Sequence, residues 1–321
     1  MMTASSPSTP RRLVVTGAGG MLGQNLVPRL VASGHHVAAL DKSTGFLRVL
    51  SERAPQAAIH SADLAVPGPW MDLFAGADAV LDLKAQITSP DRALHERNNT
   101  TATALVLEAC ERHAIPHLVH MSSSVVISKA KDAYTETKRA GEEAVRASRV
   151  PHTILRPPLM FGPGDIKHLG LILRVMKILP VVPLPGDSRF MRQPLFVGDM
   201  CAVIEKALDR PPRGEVFNVI GHERIMFVDL LKQIRRVTGA RCLFLPLPLG
   251  LFRVALRAQL LLLRRTIFTT EQLDALTAGD DFPVEDWTEV FGVPFTSFAS
   301  ASPRVYGVDD ALRVRLMRAA P

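Results

Sequence analysis

The chain has 321 residues, of which 47% are hydrophobic and only 6% are aromatic, and its net charge is +7. This length can bury a large core, and the aliphatic-rich composition excludes an extensively disordered protein. The basic residues are dispersed and not interleaved with aromatic ones, so nucleic-acid binding is not predicted. Three widely spaced cysteines without metal-ligand spacing (Cys110, Cys201 and Cys242) predict free thiols, no metal site and a cytoplasmic protein.

The amino-terminal residues 1–12 are rich in Ser, Thr and Pro and contain no long apolar stretch. We predict that they form a disordered tail and not a signal peptide. An uncharged apolar run of about 18 residues, the length that spans a bilayer, is missing from the sequence, so a membrane-spanning helix is not predicted.

Short apolar strands alternate with helical segments from residue 13 onward. The first strand, Leu13–Val15, leads into a glycine-rich turn and a helix closed by Gly34, and the second, His36–Leu40, ends at Asp41. Further strands are predicted at 58–60, 79–83, 117–121 and 153–156, and further helices at 46–53, 70–74, 99–113 and 136–148. This alternation predicts an α/β fold with a doubly wound parallel sheet over residues 13–165.

The pattern of the sequence changes after Pro157. Pro and Gly punctuate the chain up to residue 194 around one helical segment at 169–179, and Val216–Val219 has the pattern of a strand. From Phe227 onward the pattern is mostly helical. We therefore predict that residues 166–321 form a smaller, mostly helical substrate lobe, interleaved with the first part because 215–220 returns to the sheet.

The turn after the first strand reads Thr16-Gly-Ala-Gly-Gly-Met-Leu-Gly23. Glycines here allow a tight turn and let a pyrophosphate approach the backbone at the N-terminus of the next helix. Asp41, at the end of the second strand, is placed to hold the hydroxyls of an adenosine ribose and would repel a 2′-phosphate. The sequence therefore predicts a Rossmann domain at 13–165 that prefers NAD to NADP, although Lys42 next to Asp41 weakens this preference.

Tyr134 and Lys138 are four residues apart next to a segment of helical pattern. Residues at this spacing share one face of a helix, so the phenol and the ammonium are expected side by side. A neighbouring ammonium lowers the pKa of a phenol and lets it exchange protons near neutral pH. Together with the glycine turn and with Ser124 just upstream, this pair predicts a redox enzyme that transfers hydride to or from NAD.

These motifs resemble those of the short-chain dehydrogenase/reductase superfamily, in its extended or atypical branch of NAD-dependent epimerases and dehydratases. The resemblance covers roughly residues 12–235. The residues that carry it are the glycine turn 16–23, Asp63-Leu64, Asn99, Ser124, Tyr134, Lys138, Leu155-Arg156-Pro157, Phe161-Gly162-Pro163-Gly164-Asp165 and Phe196-Val197-Gly198-Asp199.

The resemblance implies a role for each matching residue. Tyr134 is expected to be the general acid and base, Lys138 to bind the nicotinamide ribose, and Ser124 to hold the substrate oxygen, with Asn99 supporting the catalytic group. Arg192 is expected to bind the diphosphate of a nucleotide-linked sugar. The residues expected to contact the cofactor are Gly17, Gly20, Met21, Leu22, Gly23, Asp41, Asp63, Leu64, Leu83, Lys84, Tyr134, Lys138 and Pro157.

Three departures from the family pattern bear on the substrate. Only ten residues separate Ser124 from Tyr134, fewer than is usual in sugar-nucleotide epimerases, which predicts that a substrate-covering loop is missing. Lys84 stands at the cofactor wall, where it either reaches a phosphate or carboxylate or only extends toward solvent. Leu159 replaces an asparagine that many sugar-nucleotide epimerases carry, which weakens the case for a UDP-sugar.

The sequence leaves three functions open. The first is an NAD-dependent oxidoreductase of the nucleotide-sugar epimerase or dehydratase type. The second is a dehydrogenase of an apolar alcohol such as a sterol or isoprenoid, motivated by Leu159 and the apolar segment 243–263. The third is a non-catalytic cofactor-binding subunit, because residues 135–199 also resemble the dehydrogenase-fold accessory subunit of respiratory complex I.

Two modes of association are also left open. Within 243–265, Arg253, Arg257 and Arg264 fall on one side of an apolar helix. Such a helix either packs its apolar side on the protein or makes a weak contact with an anionic membrane surface. A homodimer is the second open mode, since paired-helix dimers are common in the superfamily that the chain resembles.

Overall fold

The structure, a computed structural model, describes residues 9–167, 169–263, 270–307 and 310–320. Its strands are β1 (Arg12–Thr16), β2 (His36–Asp41), β3 (Ala58–Ser61), β4 (Ala79–Asp82), β5 (Leu118–Met121), β6 (His152–Arg156), β7 (Met160–Phe161), β8 (Val181–Pro185), β9 (Met191–Arg192), β10 (Leu195–Phe196), β11 (Glu215–Asn218), β12 (Ile225–Met226) and β13 (Leu243–Leu247). Its α-helices are α1 (Met21–Ala32), α2 (Thr44–Arg53), α3 (Arg92–His95), α4 (Ala102–Arg112), α5 (Ala133–Ala147), α6 (Leu169–Ile178), α7 (Val197–Leu208), α8 (Phe227–Thr238), α9 (Leu249–Leu263), α10 (Thr270–Ala278), α11 (Trp287–Phe291), α12 (Phe298–Tyr306) and α13 (Ala311–Ala319).

Seven strands form one parallel sheet in the order β3-β2-β1-β4-β5-β6-β11. Successive side chains of a strand face opposite sides, so Leu13 and Val15 of β1 belong to one core and Val14 to the other. Helices α1 and α7 cover the first face, and α4 and α5 cover the second. The predicted doubly wound α/β fold is therefore confirmed.

Besides the cores on the two faces of the sheet, a separate core, called the second core below, lies outside the sheet. Helices α6, α8 and α12 and strand β8 surround it, and its buried side chains include Phe161, Leu230, Phe298 and Tyr306. Strand β11 leaves this region and pairs in parallel with β6 at the sheet edge, as the pattern at 215–220 predicts. Helix α7 also belongs to the sheet core, so the two parts of the chain are interleaved.

The start of the ordered domain differs from the prediction by two residues. β1 begins at Arg12, and the guanidinium of Arg11 pairs with Asp209 at 3.0 Å, so the predicted tail 1–12 is wrong for these two residues. The rest of that prediction falls largely on residues 1–8, which lie outside the described residues. Within the described ranges, no helix is long and apolar enough to cross a membrane.

Candidate active site

The candidate site lies where the strand order reverses in the sheet. β1 pairs with β2 on one side and with β4 on the other, so the chain crosses the sheet between β3 and β4. In such sheets a crevice opens at the carboxyl ends of the strands next to this point. The glycine turn follows β1, and the other candidate residues follow β4, β5 and β6.

The glycine turn packs directly against the backbone that follows β4. Gly17 has φ +67°, and a Cβ there would lie 2.6 Å from the backbone nitrogen of Lys84. A Cβ on Gly23 would lie 2.4 Å from the carbonyl oxygen of Ala18. The first glycine therefore provides a left-handed backbone conformation, and the last lets α1 approach the turn closely.

Gly17→Ala is expected to destabilise the protein more than Gly34→Ala. Both glycines have positive φ, +67° and +85°, but no atom lies within 4 Å of a Cβ on Gly34. The shared conformational strain costs of order 1–2 kcal/mol, and only Gly17→Ala adds a clash with the backbone of Lys84. Urea unfolding of both variants measures the difference; equal losses would mean that the close packing of the turn contributes nothing.

The N-terminus of α1 has the properties of a phosphate site. The backbone N–H groups of Met21, Leu22 and Gly23 donate no hydrogen bond within the described residues, and the first turn contains no acidic residue. A Cβ on Gly20 would meet only the carbonyl oxygen of Gly17, at 3.3 Å. Free N–H groups at a helix N-terminus attract anions. These residues therefore fit the pyrophosphate of a dinucleotide.

Two carboxylates lie at the ends of β2 and β3. That of Asp41 accepts the backbone N–H groups of Gly19 (3.0 Å) and Ser43 (2.9 Å), so it stands against the glycine turn where a ribose is expected. Asp63 pairs with Arg97 at 2.6 Å, and this hydrogen bond lowers the pKa of Asp63. Leu64 next to it is buried.

Asp82, the last residue of β4, is fully buried and is the centre of a polar cluster. Its carboxylate accepts hydrogen bonds from Thr16 Oγ1 (2.6 Å), Lys84 Nζ (2.8 and 3.0 Å) and His120 Nδ1 (2.8 Å). Burial alone would raise the pKa of Asp82, but Lys84 and His120 outweigh burial and hold that pKa well below its usual range. Burial also lowers the pKa of His120 to about 4, so its imidazole is neutral.

Lys84 reaches a carboxylate, one of the outcomes that its position predicts, but that carboxylate belongs to Asp82. Its ammonium also donates to Thr103 Oγ1 at 2.8 Å, and only a tenth of the side chain is exposed. The backbone of Leu83 and Lys84 forms the wall against Gly17. The backbone of Lys84 therefore packs against the glycine turn, while its charge is paired inside the protein.

Tyr134 lies in the first turn of α5, and Ser123 is the serine whose side chain acts to lower the pKa of its phenol. Ser124, the serine that the resemblance assigns, is buried, and its N–H donates to the carbonyl oxygen of Pro157 at 2.9 Å. The sequence predicts a lowered pKa for Tyr134, but the structure gives the opposite direction, because burial raises that pKa more than Ser123 lowers it.

Lys138 lies one turn further along α5 and is buried. Its ammonium donates a hydrogen bond to the carbonyl oxygen of Met121, the last residue of β5, at 2.6 Å. Burial and the nearby Lys84 cation lower the pKa of Lys138 to about 8. The amine therefore changes its charge close to neutral pH, which is a property of catalytic lysines.

Asn99 lies in a single π-helical turn, Glu96–Thr101, between α3 and α4. Its side-chain oxygen accepts the N–H of Gln86 (2.7 Å), and its amide nitrogen donates to Gln86 O (3.0 Å) and Thr137 Oγ1 (3.1 Å). These bonds tie the loop after β4 to α5, the helix that carries Tyr134 and Lys138. Single π-helical turns are frequent at functional sites.

Glu142 is a buried charge that the sequence analysis missed. Its carboxylate accepts Ser122 Oγ (2.6 Å), Arg156 Nε (2.9 Å) and Arg146 Nε (3.0 Å), which connects α5 with the ends of β5 and β6. The signal was its position four residues after Lys138, on the same face of α5. Ser123, His120 and Asp82 were missed as well, because their neighbours come from other strands or from α5.

Arg192 does not present a free charge to a ligand. It is buried, its guanidinium pairs with Asp280 at 2.7 Å, and it also donates to the carbonyl oxygen of Leu276. The ring of Phe190 lies 5.0 Å from the guanidinium carbon. These contacts do not support the predicted diphosphate role, because the positive charge is already paired inside the second lobe.

Comparison with known proteins gives the family. A model described as the NAD dependent epimerase/dehydratase family matches residues 13–220, well over half of the chain. The chain belongs to this family. It is therefore an NAD-dependent enzyme of the extended short-chain dehydrogenase/reductase type, and the resemblance drawn from the motifs is confirmed.

Relatives of this enzyme act on different substrate classes. The chain is 27% identical over 240 residues to a ceramide reductase from Caulobacter vibrioides, covering 74% of this chain and 73% of the relative. It is 27% identical over 264 residues to dTDP-glucose 4,6-dehydratase from Streptomyces niveus (71% and 78% covered). It is 26% identical over 251 residues to the human decarboxylating sterol-4-alpha-carboxylate 3-dehydrogenase (70% and 66% covered).

The fold is shared with a solved nucleotide-sugar epimerase. UDP-glucuronic acid 4-epimerase from Bacillus cereus, in complex with NAD, superposes with a TM-score of 0.69 at 21% identity, covering 92% of this chain and 95% of that one. The predicted NAD cofactor and hydride-transfer chemistry are confirmed at the level of the family. The roles of the individual site residues stay predictions.

Proposed function

We propose that this enzyme interconverts a secondary alcohol and a ketone on a largely apolar substrate, with NAD as the hydride carrier. The observation that carries the chemistry is that Tyr134 and the buried Lys138 lie one turn apart on α5, with Ser123 acting on the phenol of Tyr134. These residues follow β5, at the same carboxyl end of the sheet as the glycine turn that follows β1. NAD, when bound, accepts or supplies the hydride at the carbon that bears the oxygen.

Each side chain then has one task at the substrate oxygen. The hydroxyl of Tyr134 takes up or gives back the proton of that oxygen, and the hydroxyl of Ser123 orients it. The cation of Lys138 stabilises the phenolate that forms while the proton is away from Tyr134. Asn99 keeps the loop after β4 against α5 through its bonds to Gln86 and Thr137, and so positions the helix.

The ion pair of Arg192 with Asp280 favours an apolar substrate. The guanidinium predicted to meet a diphosphate is already paired with Asp280, and Leu159 stands where many sugar-nucleotide enzymes carry an asparagine. Two relatives are a ceramide reductase and a sterol-carboxylate dehydrogenase, whose names describe lipid substrates. Apolar substrates need few polar contacts besides those at the reacting oxygen.

The test is a substrate panel with the purified full chain. Hydroxysteroids and long-chain secondary alcohols are offered with NAD, the matching ketones with NADH, and UDP- and dTDP-sugars in parallel. We expect a change in NADH absorbance with the apolar compounds. The sugars are followed by chromatography of their products, because an epimerase or dehydratase returns its hydride and leaves NADH absorbance unchanged, and we expect no product from them. Turnover of sugars alone would overturn the proposed substrate class, and failure of the whole panel to react would count against both classes.

A nucleotide-linked sugar is the second candidate, because dTDP-glucose 4,6-dehydratase and UDP-glucuronic acid 4-epimerase are among the similar proteins. An epimerase or dehydratase returns the hydride to its substrate and can keep the same NAD through many cycles. The two candidates therefore differ in cofactor retention. Protein that keeps a full equivalent of NAD through gel filtration would favour this second candidate, and freely exchanging NAD favours the first.

Ser123→Ala is expected to lower kcat about a hundredfold, because one preorganised donor at the reacting oxygen is lost. Ser124→Ala is the matched control: it removes the same hydroxyl one residue later, on a serine that does not act on the pKa of Tyr134, and kcat should stay close to that of the parent protein. Steady-state kinetics on the substrate found by the panel measures both. A larger loss of kcat in Ser124→Ala than in Ser123→Ala would assign the orientation of the substrate oxygen to Ser124, as the family resemblance implies.

The activity is expected to fall as the pH rises through about 8. Burial and Lys84 lower the pKa of Lys138 to about 8, so its cation is present below that pH and lost above it. The profile of kcat/KM reports groups of the free enzyme. Lys138→Arg keeps the cation at all accessible pH values, so the limb near pH 8 should disappear. A limb unchanged in this variant would belong to another group.

A further inference from the structure

A two-stranded sheet of the second lobe exposes an apolar face. β8 and β13 run parallel with Leu243 opposite Val181 and Leu245 opposite Pro183. One face of this sheet is buried through Val182 and Leu184. The opposite face is exposed, and Leu243 keeps 68% of its surface in contact with solvent. A strand pair with one solvated face normally alternates apolar with polar residues, and this pair does not.

Exposed apolar side chains continue on both sides of this sheet. Ile178 and Leu179, which lead into β8, are 66% and 44% exposed. Leu251 and Val254, in the first turns of α9 after β13, are 54% and 60% exposed. They are three residues apart and therefore share one side of that helix. Soluble monomers rarely leave so many neighbouring large apolar residues in water.

The segments that build this surface carry only positive charge. Residues 169–186 and 230–263 contain eight of the 38 Lys and Arg residues of the chain and none of its 31 Asp and Glu residues. The rest of the chain therefore carries 30 basic and 31 acidic residues and is close to neutral. The net positive charge of the protein arises in these two segments.

Four of these cations are exposed and free of ion pairs. Within the described ranges, Arg174, Lys177, Arg236 and Arg241 form neither salt bridges nor side-chain hydrogen bonds, and all four are exposed. Lys177 precedes the apolar Ile178, and Arg241 lies two residues before Leu243. Basic side chains thus border the apolar surface at the end where β8 and β13 begin.

We propose that this surface, the β8–β13 face with Ile178, Leu179 and the exposed side of α9, docks on an anionic lipid bilayer. Apolar side chains enter the headgroup region, and the surrounding cations meet negative phosphates. A second copy of the chain is a poorer occupant, because a two-fold dimer would bring the same cationic surface against itself. The contact is peripheral, in line with the lack of a membrane-spanning helix in the described part of the chain.

Vesicle co-sedimentation of the full chain tests this docking. Vesicles of phosphatidylcholine alone are compared with vesicles that also contain phosphatidylglycerol, at low and at high salt. We expect binding only to the anionic vesicles, weakened by salt because exposed charges are screened. Binding to both kinds of vesicle alike, or to neither, overturns the proposal.

Two variants, each with a matched control, locate the contact. Leu243→Glu places an anion in the apolar face, and the double variant Lys177→Glu, Arg241→Glu reverses two bordering charges. Each is expected to weaken binding by about tenfold or more. The controls are Val290→Glu, an apolar residue 41% exposed on α11, and the double variant Arg213→Glu, Arg318→Glu at exposed sites outside the two segments. Equal loss in the controls overturns the assignment of the face.

A second copy of the chain is tested in the same preparations. Analytical ultracentrifugation should give the same oligomeric state for the parent protein and for Leu243→Glu, because no dimer forms through this surface. A dimer that Leu243→Glu dissociates overturns the bilayer as occupant. Circular dichroism and urea unfolding confirm that each variant is folded, and because turnover is not measured, the result is independent of the substrate proposed above.

Discussion

Tyr134→Phe is expected to lower kcat by about a hundred- to ten-thousand-fold, because the hydroxyl that exchanges the substrate proton is removed. The fold should be retained, since the ring keeps its place in the first turn of α5. NAD binding should change little, because the glycine turn and Asp41 are untouched. Steady-state kinetics, NAD titration and urea unfolding on the same preparation measure the three quantities separately.

Tyr306→Phe is the matched control, since Tyr134 and Tyr306 are the two tyrosines of the chain. The hydroxyl of Tyr306 is buried in the second core and has no hydrogen-bond partner among the described residues. Its removal should leave kcat unchanged and the stability equal or slightly higher, because no bond is lost. If Tyr134→Phe were as active as this control, the proton of the substrate would have to be exchanged by another group and the role proposed for Tyr134 would be wrong.

Asp82→Ala is expected to destabilise the protein by about 3–5 kcal/mol, because it leaves the buried ammonium of Lys84 without its counter-ion. Thr16 Oγ1 and His120 Nδ1 also lose their acceptor. The control is Asp78→Ala, at the exposed start of β4, where one backbone N–H, that of Arg12, loses a partner. Denaturant unfolding gives both values.

A compensating variant separates charge from packing in this cluster. Asp82→Leu combined with Lys84→Met removes both charges together, and most of the stability lost in Asp82→Ala should return, since apolar replacements of buried ion pairs are often tolerated. Persisting instability would place the effect in packing and not in the unpaired charge. In the parent protein the lowered pKa of Asp82 stabilises the folded state at pH values above the ordinary carboxyl pKa. This stabilisation is lost as the pH falls toward the lowered pKa.

Local patterns were sufficient for the glycine turn and for the helix face shared by Tyr134 and Lys138. Both depend on spacing within one turn or one helix, and α1 and α5 follow that spacing. The alternation of strands and helices likewise predicted the parallel sheet, because buried parallel strands are continuous apolar runs. An isolated strand pattern predicted that residues 215–220 return to the main sheet, and β11 in this segment pairs with β6.

Contacts between distant segments could not be predicted in the same way. Three consecutive serines have no periodicity that tells which of them acts on Tyr134, and in the folded chain it is Ser123 whose side chain acts to lower the pKa of Tyr134. Arg192 has the spacing of a phosphate ligand, but its partner Asp280 is 88 residues away in the chain. For Lys84 the sequence left a phosphate, a carboxylate and solvent open, and only the structure shows that its charge is paired with Asp82.

The sequence by itself determined the family, the cofactor and the chemistry, because these depend on short motifs whose geometry is set by one turn, one helix or one strand end. The tertiary structure decided the direction of the Tyr134 pKa and the loss of Arg192 as a free cation. It also assembled the positive and apolar residues of the β8–β13 face. Burial and charge pairing depend on which distant segments meet, and only the folded chain specifies that.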